Sequence, residues 1–448
     1  MSKRWILLFI VIGFLSVIAW QLPTLLKVIP SRYVAAYFPE PIQTLAVREH
    51  VEILPTANIV VDATGLLEST PTVSQIAMAD VDSIPPSTIE RPVDDASSDA
   101  SQELEPPDST PKPSPQPSAT PVSIPVNGRL GAIRHHFQTW NNCGPATLAM
   151  ALSYFDIFLN QEQTATILKP DPEDRNVSPH EMVAFVNQET DLLALDRTNG
   201  SLFTLKRLVA GGFPVIVELG LDPPGEYRWM GWYGHYLLVI AYDDASESVS
   251  VYDSWFGTSE QPGANADAQG RQISYPDMDS YWRQFNRNYI VLYQAGQELE
   301  LAEILGSAVD DETMWRESFT KVMEELAEEP EDAYLWFNLG TIYNALGDYE
   351  NAVTAFDQAR TMGLPWRMLW YQFGPYEAYY QVGRFEDVIL LAETTLKDRP
   401  YFEESYYYKG LAEAALGESR QARDDLEKAV RFNPRFTPAI NALAQLDS

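Results

Sequence analysis

Apolar positions fall into distinct regimes along the chain. Between residues 127 and 297, runs with helical spacing come first, at 145–155, 161–168, 179–188 and 202–210. Short, nearly continuous apolar runs follow at 214–219 (PVIVEL), 236–242 (YLLVIAY), 249–253 (VSVYD) and 289–293 (YIVLY), and read as buried strands. Helices before strands predict an α+β unit rather than alternating βαβ. From 298 to 448 the pattern is helical throughout. Pro330, Pro365, Pro400 and Pro434 recur there at intervals of 35, 35 and 34, with Gly347, Gly383 and Gly417 as a second series. A fixed period of this size predicts stacked helical hairpins. A partial hairpin over 312–329 and a last helix over 437–446 are expected to cap the stack.

The first 126 residues are different. Lys3 and Arg4 precede an uncharged apolar run from Trp5 to Trp20, which Leu22, Leu25 and Leu26 extend. Residues 1–27 therefore predict a transmembrane anchor with its N-terminus inside and the rest exported. A cleaved signal peptide is the rival, and would leave the protein secreted. Residues 28–63 read as short strands or a stalk. Residues 64–126 hold 12 prolines and no aromatics, with 10 acidic against 2 basic side chains. Such a segment cannot bury enough apolar surface to order itself, so a disordered linker is expected.

Charge and cysteine count narrow the chemistry. The net charge of −32 argues against nucleic acid as a partner. A single cysteine in 448 residues excludes an internal disulfide and the usual thiolate zinc sites. No metal-binding or phosphate-loop spacing occurs, and no cofactor is expected. That cysteine, Cys143, stands at the start of an apolar helical run in QTWNNCGPATLAMALSY, where a helix end favours the thiolate. His235 opens an apolar strand and Asp253 closes the next one. A turn over 243–247 can pair those strands. Cysteine, histidine and aspartate in this order suit a thiol nucleophile, its base and the base's orienting carboxylate.

The stretch 138–154 resembles the motif of the papain-like peptidases that process bacteriocin leaders, on Cys143, Gly144, Pro145, Ala146 and Tyr154. His235 in Gly-His-Tyr and Asp253 in Asp-Ser are similar too, as is the closing stretch 279–293. The resemblance implies a papain-like fold over 127–297, with Cys143 as nucleophile and His235 and Asp253 as its partners. It makes Gln138 the oxyanion donor together with the Cys143 backbone N–H. Gln138 stands five residues before the cysteine where the family usually has six, and Asn142 is the fallback. The first unit of the helical region resembles a tetratricopeptide repeat on Trp336, Leu339, Gly340, Tyr343, Ala352, Phe356 and Ala359. The third keeps Tyr406, Gly410, Ala422, Ala429 and Pro434. The second has Pro375 in its first helix and Tyr376 where glycine is usual.

Together these features predict a membrane-tethered cysteine peptidase outside the cytoplasm, acting on a peptide or protein substrate. The repeats would dock substrate or a protein partner, or serve as a spacer. Two alternatives stay open: an inactive, peptidase-like scaffold, and a thiol acyl transferase or amidase.

Overall fold

The computed structural model describes residues 21–22, 53–57, 63–67, 124–222, 231–255 and 269–446. The expected anchor run lies outside these residues. Among the described residues no helix is long and apolar enough to cross a membrane.

Two structural units follow one another. The first is a seven-stranded sheet of antiparallel pairs in the order β2-β7-β3-β4-β5-β6, with β1 also on β4. Its strands are β1 (Asn127–Arg129), β2 (Leu192–Arg197), β3 (Val215–Leu221), β4 (Tyr233–Asp243), β5 (Ser248–Asp253), β6 (Arg271–Ser274) and β7 (Tyr289–Gln294). The central strands lack polar alternation because helices cover both faces. Val215, Val217, Leu237 and Val239 face one layer, built from α5 (Leu202–Ala210), α6 (Tyr275–Trp282) and α7 (Glu298–Leu305). Ile216, Leu238 and Ile290 face the other, built from α2 (Cys143–Ser153), α3 (Gln161–Leu168) and α4 (Pro179–Glu189). Helix α1 (Thr64–Leu67) precedes them all.

The second unit runs through α8 (Asp311–Glu328), α9 (Ala333–Ala345), α10 (Tyr349–Met362), α11 (Gly374–Gln381), α12 (Phe385–Asp398), α13 (Glu403–Ala415), α14 (Ser419–Phe432) and α15 (Thr437–Leu446). Gly347, Gly383 and Gly417 turn between paired helices at φ 77°, 77° and 82°, the left-handed region that favours glycine. Gly340 lets α9 approach α10: a Cβ there would lie 2.6 Å from the Phe356 ring. At the matching place in the second pair, Tyr376 is buried and its hydroxyl meets Thr395 and Ser405 at 3.2 Å each.

Several expectations are corrected. Helix α2 begins at Cys143 rather than 145 and ends at Ser153. Its proline falls in the first turn, where an amide N–H has no helical partner to lose. Strands β1, β2 and β6 were not expected. β1 and β6 have only three and four residues, and β2 (LLALDR) lies at a sheet edge and ends in Asp196 and Arg197, which cut short its apolar run. Residues 311–328 form one helix rather than a partial hairpin, while Pro375 lies in the first turn of α11, within the helix expected there. Part of the expected linker is ordered, since Leu66 of α1 is buried in the repeat core. Part of the supposed stalk is docked as well. Ile53 bridges Pro365, the Leu54 N–H donates to the Leu364 carbonyl at 2.8 Å, and Arg360 donates to the Pro55 carbonyl at 2.9 Å.

The two units share a polar and charged seam. Arg287, almost wholly buried, pairs with Asp279 at 2.8 Å and reaches Glu325 of α8 at 2.6 Å. Arg283 pairs with Glu329 at 2.7 Å and Asp332 at 2.9 Å. Elsewhere on the seam acids meet acids. Asp174 and Glu181 of the sheet unit lie near Glu403 and Glu404 of α13, and the Asn176 amide reaches Glu404 at 3.4 Å. Burial, then mutual repulsion, pushes Glu181 up to about 8 and holds Glu403 and Glu404 well above the usual range. Asp174 rises to about 6 by burial, against the pull of Lys169. Carboxyls with raised folded pKa keep protons that the unfolded chain gives up. Their seam is therefore most stable at or below the ordinary carboxyl range and weakens as pH climbs towards about 8. Thermal unfolding of wild type and Glu404→Gln at pH ~5 and ~8 should show a smaller loss for the variant. Equal losses in both would contradict buried, protonated acids at this seam.

Candidate active site

Cys143 is the first residue of α2, partly exposed, and the only thiol. The first turn of α2 has no acidic side chain and no side-chain cap, so its partial positive charge is not cancelled locally. Asn141, two residues earlier, turns the chain at φ 57°, a conformation asparagine tolerates better than most residues. The Lys169 ammonium, itself buried, donates to the Asn141 carbonyl at 2.8 Å and to the Asp174 carbonyl. Gln161, at the start of α3, accepts from the Thr139 N–H at 2.6 Å and donates to the Phe137 carbonyl at 2.8 Å. These two side chains fix the loop that delivers the thiol.

Asp253 ends β5 and pairs in register with Leu237 of β4. His235, two residues away on the same face, is thus its diagonal neighbour. His235 Nε2 lies 2.8 Å from Asp253 Oδ1. A carboxylate can only accept, so Nε2 carries the proton and Nδ1 is left for the thiol. Asp253 has no solvent exposure. Its Oδ1 also accepts from the Trp255 N–H at 2.8 Å, and Oδ2 from Arg271 Nη2 at 2.8 Å. His135 Nε2 meets the Asp253 carbonyl at 2.8 Å. Burial alone would raise the Asp253 pKa, but the charge of His235 and its hydrogen bond, with Arg271 and the Trp255 N–H, hold it well below the usual range.

The same charges set His235 and Cys143. Burial lowers the imidazole pKa, but Asp253 and the neighbouring thiol outweigh it and push it up to about 9. Burial raises the thiol pKa, but interaction with the His235 side chain, the Tyr236 backbone and the Lys169 charge bring it below its ordinary value. Lowering the thiol pKa while holding the imidazole charged up to about 9 widens the pH range in which thiolate and imidazolium coexist as an ion pair.

Cys143, His235 and Asp253 are therefore brought together. Gln138 lies beside them: its N–H donates to the Ser254 carbonyl at 2.8 Å, and its Oε1 accepts from Ser254 Oγ at 2.8 Å. That bond fixes the amide so that Nε2 is left as a donor, making no hydrogen bond to any described residue. Asn142, the fallback, points its amide back at Thr139 at 2.9 Å and at Gln161 at 3.4 Å. Of the tryptophans near the candidate residues, Trp232 stacks on Phe285 at 5.9 Å and Tyr334 at 6.2 Å, so it belongs to the seam between the units. Trp140 lies under the Arg175 guanidinium.

Arg271, Lys169 and Gln161 escaped sequence reasoning because only tertiary contact joins them to the site. Glu218 left a signal, an acid inside the apolar run PVIVEL. It is buried on β3 opposite Tyr236, accepts from Asn288 at 3.0 Å, and is pushed up to about 8 by burial and by the charge of Cys143.

Residues 131–288 match the Peptidase_C39 like family, and residues 333–359 match the tetratricopeptide repeat. Among solved structures, one described as a C39-like peptidase from Bacillus anthracis is 18% identical, with a TM-score of 0.29, covering 38% of this chain and 98% of its own. No curated protein matches the chain.

Alkylation reads the thiol directly, because there is only one. At pH ~6, iodoacetamide should label Cys143 at least about tenfold faster than free cysteine, and His235→Ala should abolish the advantage. Labelling no faster than free cysteine would contradict the ion pair.

Proposed function

We propose that this chain, which carries a C39-like peptidase domain followed by tetratricopeptide-repeat helices, hydrolyses peptide bonds by covalent catalysis at Cys143. The observation that supports this most is the His235 imidazole between the Asp253 carboxylate and the Cys143 thiol. The thiolate attacks the scissile carbonyl carbon and the carbonyl oxygen becomes an oxyanion. Gln138 Nε2 and the Cys143 N–H donate to that oxyanion. His235 Nδ1 gives its proton to the departing amine as the C–N bond breaks, leaving a thioester on Cys143. Water, deprotonated by His235, attacks the thioester and releases the acid and the thiol. Asp253 keeps the ring oriented and its charge compensated, and Arg271 holds Asp253 in turn.

The apolar run from Trp5 to Trp20 would tether the enzyme to the cell membrane with both units outside the cytoplasm. The Pro-rich segment would hold the two units away from the bilayer. The repeats would bind protein substrate or a partner.

A quenched-fluorescent peptide library incubated with full-length protein tests the reading. Wild type should cut a subset of sequences and Cys143→Ala none. Gln138→Ala should lower kcat about a hundredfold or more, with a smaller change in KM. Cleavage that survives in Cys143→Ala would refute the assignment. A full kcat in Gln138→Ala would move the oxyanion role to another group.

A further inference from the structure

The second helical pair departs from its neighbours where it meets the sheet unit. The first and third pairs open with unbroken 13-residue helices, α9 and α13. The second opens with a 3-10 turn, Trp366–Trp370, followed by the eight-residue α11. The break carries Tyr371 across the seam to the candidate site. Arg367 Nη1 donates to the Trp232 carbonyl at 3.0 Å, and Gln372 to the Gln284 carbonyl at 3.4 Å. The guanidinium carbons of Arg175, Arg367 and Arg399 lie 5.1, 5.2 and 5.7 Å from the Trp370 ring, bracing the preceding turn.

Tyr371 packs against Trp232 and Phe285, each at 6.0 Å between ring centres. It also fills the space over Gly234, the residue before His235: a Cβ there would lie 3.1 Å from the Tyr371 ring and 2.8 Å from Phe285. The residue as a whole is partly exposed, and its hydroxyl makes no hydrogen bond to any described residue. Burial raises the phenol pKa, and the charge of Cys143 adds to it. A neutral phenol with unused donor and acceptor capacity thus belongs to a ring that stands over Gly234, next to His235 in the chain. Packing on Trp232 and Phe285 needs only the ring, so the hydroxyl is left for a ligand.

We propose that the irregular second repeat forms one wall of the peptide cleft, and that Tyr371 is a substrate-positioning residue whose hydroxyl hydrogen-bonds the backbone of a bound peptide beside the scissile bond. This role rests on the peptidase reading above. It also implies that residues 131–288 make an incomplete cleft without the helices that follow.

The test uses full-length protein. On the best-cut member of the peptide library, Tyr371→Phe should raise KM about threefold to tenfold, the loss of one hydrogen bond, with kcat within about twofold. Iodoacetamide labelling of Cys143 should be unchanged, since the dyad is untouched. An unchanged KM would overturn the proposal. So would a fall in kcat accompanied by slower labelling, which would make Tyr371 a support for His235. A pooled fluorescein-labelled peptide library titrated onto Cys143→Ala, with and without Tyr371→Phe, decides the matter even if wild type cuts nothing. A Kd raised about threefold to tenfold supports the role, whereas equal Kd values or no binding overturn it. Slow labelling of wild-type Cys143, by contrast, would defeat the peptidase reading alone.

Discussion

A carboxylate with no contact to solvent must be answered from within the protein, and Asp253 is answered from three directions. His235 and the Trp255 N–H meet one oxygen, and Arg271 meets the other. Burying that charge unpaired would cost several kcal/mol. The imidazole beside it is held protonated, and the protonated imidazole in turn favours a thiolate on Cys143. The site is thus a chain of three groups in which each favours the charged form of the next. Its geometry depends on register: β4 and β5 must pair so that His235 and Asp253 are diagonal neighbours on one face. A one-residue slip would send the two side chains to opposite faces.

Much of this was legible in the sequence, for a physical reason. Cysteine and histidine are scarce in the chain, so each falls in a distinguishable local pattern. Cys143 precedes a helical run, His235 opens an apolar strand and Asp253 ends one. The repeat period was legible too, because Gly347, Gly383 and Gly417 occupy backbone conformations that other residues avoid. Arg271, Lys169 and Gln161 were not legible: their role comes from contact across more than a dozen residues, and nothing beside them in sequence marks it. Glu218 stood out as an acid in an apolar strand, and its protonation follows from burial that only the folded sheet reveals.

The helical region illustrates the same limit. Pro375 and Tyr376 marked the second repeat as degenerate, yet the consequence of that break lies in space. Where α9 and α13 run straight, the second pair folds into a turn that fits between Trp232, Phe285 and Gly234. A spacer or a remote docking arm would not need an aromatic wall one residue from His235. The seam's paired arginines and protonated acids hold the two units against each other, so the repeats and the candidate site are packed as neighbours.

The central claim is that Cys143 acts as a nucleophile that carries an acyl group. Full-length protein can be mixed with a peptide ester, quenched in acid during turnover and weighed intact by mass spectrometry. The account predicts an adduct of the acyl mass located on Cys143 in wild type, and none in His235→Ala. Turnover of the ester with no adduct on Cys143, or turnover that persists in Cys143→Ala, would contradict it.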